Sequence, residues 1–120
     1  MRFAANNELA LHVPDPAAAA EFYTRVLGCR LVAREEVMVT LESGALRLYL
    51  LRDPTLRHRA PIPSYDVADR EAERARLIAA GCRTVPIGPH APEGEYFVDP
   101  FGFVFDIVER PERGHGPVAP

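Results

Sequence analysis

Three carboxylates, one imidazole and one guanidinium sit where strand alternation turns them to one side of a sheet: Glu8, His12, Arg47, Asp66 and Asp106. Side chains alternate along a strand, so Glu8, Ala10 and His12 share a face opposite Leu9, Leu11 and Val13. By the same reading Arg47 and Tyr49 lie opposite Leu46, Leu48 and Leu50. Ile62, Ser64 and Asp66 share a face, and Val104, Asp106 and Val108 lie opposite Phe103, Phe105 and Ile107. A carboxylate between two valines looks either into water or into a site.

Glu8 and Asp106 can steer a cationic ligand, or one can act as general base if burial raises its pKa. The plainer alternative is that Arg47 pairs with one of them as scaffolding. His12 and Asp66 facing one cavity form a candidate acid–base pair, against the alternative that His12 makes a structural hydrogen bond. Tyr49 is the first choice for stacking on a planar ligand, ahead of Tyr65 and Tyr96. No serine or cysteine stands in a nucleophile arrangement, and the absence of lysine excludes Schiff-base chemistry.

A chain of 120 residues fits one domain with a real core. Its net charge of −3 and scattered arginines argue against a nucleic-acid surface. No apolar run suits a membrane span and no leader pattern stands at the start, so a cytoplasmic location is expected. Cys29 and Cys82 each follow a glycine and read as small buried thiols rather than a disulfide.

These residues need a scaffold, and the chain supplies one pattern twice. Glu8 to Val13 reads as a strand, and Pro14-Asp15-Pro16 stops it and opens a helix over Ala17 to Leu27, with Asp15 as cap. Phe22, Val26 and Leu27 are its apolar anchors, and Gly28 ends it. Strands follow near Cys29 to Ala33, Val37 to Glu42 and Ala45 to Leu51. After a connector at 52–61 come a strand from Ile62 to Val67, a helix capped by Asp69 and running to Ala80, and strands near Arg83 to Ile87, Tyr96 to Val98 and Phe103 to Val108. The last two flank a turn at Asp99-Pro100-Phe101-Gly102, in a hairpin that opens near Gly94. Val13-Pro14-Asp15 matches Val67-Ala68-Asp69, and Leu27-Gly28-Cys29 matches Ala80-Gly81-Cys82.

The expected fold is α+β: tandem βαβββ modules at about 6–51 and 62–109, forming a curved mixed sheet trough with helices on its outer face. Residues 1–110 make a single domain, and 111–120 read as a disordered tail. A mixed polar and apolar trough lining suits a small-molecule pocket.

With Leu11-His12-Val13-Pro14-Asp15, Glu21-Phe22-Tyr23, Val26-Leu27-Gly28 and Phe97-Val98-Asp99-Pro100-Phe101-Gly102 in this order, the chain resembles the vicinal oxygen chelate superfamily. That superfamily holds glyoxalases, bleomycin-resistance proteins and extradiol dioxygenases. The resemblance implies four metal-ligand positions, here Glu8, Tyr49, Ile62 and Asp106, in place of the usual two histidines and two glutamates. Ile62 cannot ligate, so the pattern resembles the metal-free, bleomycin-resistance-like branch, with no cofactor. It implies a homodimer that sequesters an antibiotic or metabolite, with Glu8, His12, Arg47, Tyr49, Ser64, Asp66 and Asp106 as ligand-binding candidates. The alternative is a lyase, isomerase, cyclase or dioxygenase-type enzyme using trough acid–base residues or a weakly bound divalent metal.

Overall fold

The computed structural model describes residues 2–55, 58–86 and 95–111. Ile87 at the end of the strand expected from Arg83, Gly94 at the opening of the expected hairpin, and the tail from residue 112 lie outside the described residues.

The chain runs β1 (Ala4–Val13), α1 (Pro16–Arg25), β2 (Arg30–Arg34), β3 (Met38–Ser43) and β4 (Leu46–Arg52). It then repeats as β5 (Ile62–Val67), α2 (Arg70–Ala79), β6 (Arg83–Pro86), β7 (Glu95–Val98) and β8 (Val104–Glu109). This is the expected α+β chain of two βαβββ modules. Strand β1 starts earlier than its alternation suggests, because Asn6 and Asn7 are weak strand formers that interrupt the pattern. Asn7 takes a left-handed φ of 62° within it.

Two compact units divide the contacts. One gathers Asn7–Ile62, and the other joins the residues through Asn6 to the chain from Pro63 onward.

In the first unit the strand order is β2-β3-β4-β1. β4 and β1 are parallel, setting Glu8 beside Arg47, Ala10 beside Tyr49 and His12 beside Leu51. Asp15 caps α1, its carboxylate accepting from the Ala17 and Ala18 N–H groups, and Pro16 opens the helix. Ala20, Cys29, Val39, Leu41, Leu48 and Leu50 form the core, with Leu9, Leu11, Val13 and Tyr23 against it. Glu8, Ala10, His12, Arg47 and Tyr49 therefore point to the other face.

The expected α1 anchors do not anchor it. Phe22, Val26 and Leu27 are 49%, 52% and 57% exposed, and the buried residues are Pro16 and Ala20. The inward stripe runs Pro16–Ala20–Tyr23 at helical spacing, which turns Phe22 outward, and the helix ends before Val26 and Leu27.

The second unit orders its strands β5-β8-β7-β6, with β5 and β8 parallel and Ser64 beside Asp106. Val67, Phe97 and Ile107 form its core, packed by Phe3, Tyr65, Leu77 and Phe105. Phe105 stacks on Phe97 with centroids 5.8 Å apart and meets the Tyr65 ring edge-on at 5.9 Å. In the turn before β8, Asp99 accepts from the Phe101 and Phe103 N–H groups, and Gly102 takes φ 96°. Phe103, expected on the covered face, instead precedes β8 and is 71% exposed, as is Phe101 at 83%.

The repeat extends to the caps. The amide after each glycine turns back on its helix, Cys29 to the Tyr23 carbonyl at 3.0 Å and Cys82 to that of Leu77 at 2.9 Å. The residue after each last strand closes onto the first, Asp53 N–H to the Val13 carbonyl at 2.7 Å and Arg110 N–H to that of Val67 at 2.9 Å.

Candidate functional site

On the face of the first unit away from its core, register sets Arg30, Glu42, Arg47 and Glu8 in one row across β2, β3, β4 and β1. Their charges alternate, the arrangement that favours cross-strand neighbours. Arg47 and Arg30 both donate to the Glu42 carboxylate from opposite sides. The Arg47 bond first, then that of Arg30, holds the Glu42 carboxyl below the usual carboxylate range. Glu42 in turn raises the Arg47 guanidinium above its usual value, with a smaller influence from Tyr49.

The scaffolding role foreseen for Arg47 therefore involves Glu42, a residue the alternation did not single out. Register decides it: the turn residues are Gly44 and Ala45, so Ser43 pairs with Leu46 and Glu42 with Arg47.

His12 lies one strand repeat beyond Ala10 on this face, and its Nδ1 is 3.1 Å from Asp53 Oδ2. Both side chains are buried, at 5% and 2% exposure. Asp53 Oδ1 also accepts from the Thr55 N–H at 3.3 Å and the Thr55 hydroxyl at 2.9 Å. The His58 ring meets His12 edge-on at 6.1 Å. Burial, then the neighbouring His12 charge, pushes the His58 imidazole below its usual value, against the Asp53 carboxylate. His12 is thus held by a carboxylate on its own unit, as an oriented imidazole.

The second unit carries a buried polar cluster on the face opposite its core. Asn6 Nδ2 donates to Ser64 Oγ at 2.9 Å and to Asp66 Oδ1 at 3.0 Å, and all three residues are buried. Arg110 donates to the same Asp66 oxygen at 2.9 Å. Asp106 neighbours Ser64 in register. Tyr96, 3% exposed, has its phenol pushed well above the usual tyrosine range by burial and then by the Asp106 charge. Such a phenol stays protonated and can donate a hydrogen bond. Tyr65 belongs to the core, which removes it as a stacking candidate.

Asn6, Asp53 and Arg110 were not anticipated. The equivalence of Asp53 and Arg110, each one residue past its module's last strand, was the readable sign for two of them. Among the candidates, Glu8, His12, Arg47 and Tyr49 share a face of the first unit, and Ser64, Asp66 and Asp106 share a face of the second.

The metal positions implied by the resemblance do not fit a metal. Ile62 is a hydrocarbon, 1% exposed, and Tyr49 is an uncommon ligand. Among the described residues no three His, Cys, Asp or Glu side chains gather closely enough to hold an ion.

The model of a glyoxalase-like domain matches residues 8–108. The chain belongs to the glyoxalase-like domain family. Solved structures share the fold at low identity. A hypothetical protein of Bacillus halodurans aligns at TM-score 0.67 and 15% identity over 90% of this chain and 95% of its own. Methylmalonyl-CoA epimerase of Mycobacterium tuberculosis gives 0.63 and 22%, over 88% and 87%. Homoprotocatechuate 2,3-dioxygenase of Arthrobacter globiformis gives 0.67 and 24%, over 91% of this glyoxalase-like domain but 37% of the dioxygenase chain. No curated protein sequence matches.

Proposed function

We propose that this glyoxalase-like domain binds a small organic molecule without a metal and sequesters it, as the bleomycin-resistance-like branch would. The observation that carries the reading is Ile62, a buried hydrocarbon at a position where a ligating side chain is required. The second unit's polar face then serves recognition. Asp106 offers charge to a cationic group, and Ser64 and a neutral Tyr96 offer hydroxyl donors. Glu8, Tyr49 and Arg47 are candidates on the first unit. The ligand is an antibiotic or metabolite with planar and cationic parts, and the working form is a cytoplasmic homodimer.

The experiment is the metal content of protein purified without chelator or affinity tag, followed by a thermal-shift screen of planar cationic compounds. The expected result is no stoichiometric metal and at least one stabilising compound whose effect falls in Asp106→Ala. A stoichiometric divalent ion lost in that variant overturns the reading.

A second reading is an acid–base enzyme that moves a proton, favoured by the protonated Tyr96 phenol beside the Asp106 carboxylate. It predicts that Tyr96→Phe abolishes turnover of a bound ligand while preserving its affinity.

A further inference from the structure

The first unit contains a cleft of about 640 Å³ on the same side of the sheet as α1, opposite the face that carries Glu8 and Tyr49. Its size is that of a small-molecule site. The exposed Pro14 and Ala17 supply apolar surface, over the buried Val39 and Pro16. Arg34 and Arg52 supply two positive charges, and Glu35, Glu36 and the capping Asp15 three negative ones. Among the described residues, the Arg34, Glu35, Glu36 and Arg52 side chains have no ion-pair or hydrogen-bond partner.

The backbone beneath them is fixed. Arg34 pairs with Val39 across β2 and β3, Glu35 N–H reaches the Met38 carbonyl at 2.9 Å, and Arg52 N–H that of Val37 at 2.9 Å. The end of α1 adds no free donor at Ala17 or Ala18, because Asp15 already caps both. Recognition therefore falls to the side chains.

We propose that this cleft binds a small amino-acid-like zwitterion with an aliphatic side chain. Its carboxylate is taken by Arg34 and Arg52, whose planar guanidinium groups suit two-pronged carboxylate contacts. Its ammonium is taken by Glu35 and Glu36, and its side chain lies against Pro14 and Ala17. A polyanion is disfavoured by the two glutamates, and a simple cation by the two arginines.

The test is amide NMR titration of the full chain with L-leucine, N-acetyl-L-leucine and L-leucinamide. The derivatives lack the ammonium and the carboxylate respectively. The expected result is saturable shifts at Arg34, Glu35, Glu36 and Arg52 with leucine, weakened by about tenfold with either derivative. Those shifts should vanish in Arg34→Ala/Arg52→Ala, with the rest of the spectrum unchanged, and weaken in Glu35→Gln/Glu36→Gln. No response to leucine, equal binding of all three compounds, or unchanged affinity in the arginine variant overturns the proposal.

Discussion

His12 and Asp66 hold equivalent places in the two modules, and each is tied to the residue that follows its module's last strand. His12 Nδ1 lies 3.1 Å from Asp53, and Asp66 Oδ1 lies 2.9 Å from Arg110. The basic and acidic partners have changed places while the backbone bond beside them is the same in both modules. The two candidate acid–base residues thus each have an oppositely charged or titratable partner within their own unit.

Asp53 is buried and gathers His12 and both Thr55 donors, so Asp53→Ala should destabilise the chain by about 3 kcal/mol. Arg110→Ala should cost about 1 kcal/mol, because Asp66 keeps Asn6 and the guanidinium is partly exposed. Urea denaturation midpoints compare them, and an equal or reversed order would refute the assignment.

Glu42 gives a pH dependence. Its folded pKa lies below its ordinary value of 4.5, so its pairing stabilises the chain above that value and is lost as pH falls through the depressed one. Side-chain carboxyl NMR should show Glu42 titrating below a reference glutamate, and Arg47→Ala should move it up. A normal Glu42 titration in the unaltered chain would contradict the bracket.

Tyr96 acts at the opposite end of the scale. Its folded pKa is raised, so its contribution is complete below the ordinary 10.0 and declines as pH rises beyond it. Ultraviolet titration should show a tyrosine that resists ionisation until the fold gives way. That late phase should disappear in Tyr96→Phe and begin earlier in Asp106→Asn.

At Gly102, φ is 96° and an added Cβ would meet nothing within 4 Å. The cost of Gly102→Ala is then backbone strain alone, about 1–2 kcal/mol. Chemical denaturation measures it; a larger loss would mean that the Asp99 bonds to Phe101 and Phe103 fail with it.

The two modules were legible because prolines, capping aspartates and glycines punctuate strong alternation. Strand β5 runs over Ile62–Val67 as read. The inward face of α1 was not legible. Its core contact is made by Ala20 between other alanines, so the bulky Phe22 and Val26 misled the choice. Faces in the sheet could be read from period two alone, which placed Tyr49 and Asp106. Partners across strands could not, because they depend on register and on residues such as Asp53 and Arg110 just past the strand ends.

Asn6 and Phe3 precede the first repeat's helix yet belong to the unit built from the second repeat. Phe3 lies edge-on to Tyr65 at 6.4 Å, and Asn6 binds Ser64 and Asp66. A fragment starting at the connector would carry every strand of its own repeat and still lack these two residues. The two repeats are therefore not interchangeable parts: the second is completed by a few residues encoded ahead of the first.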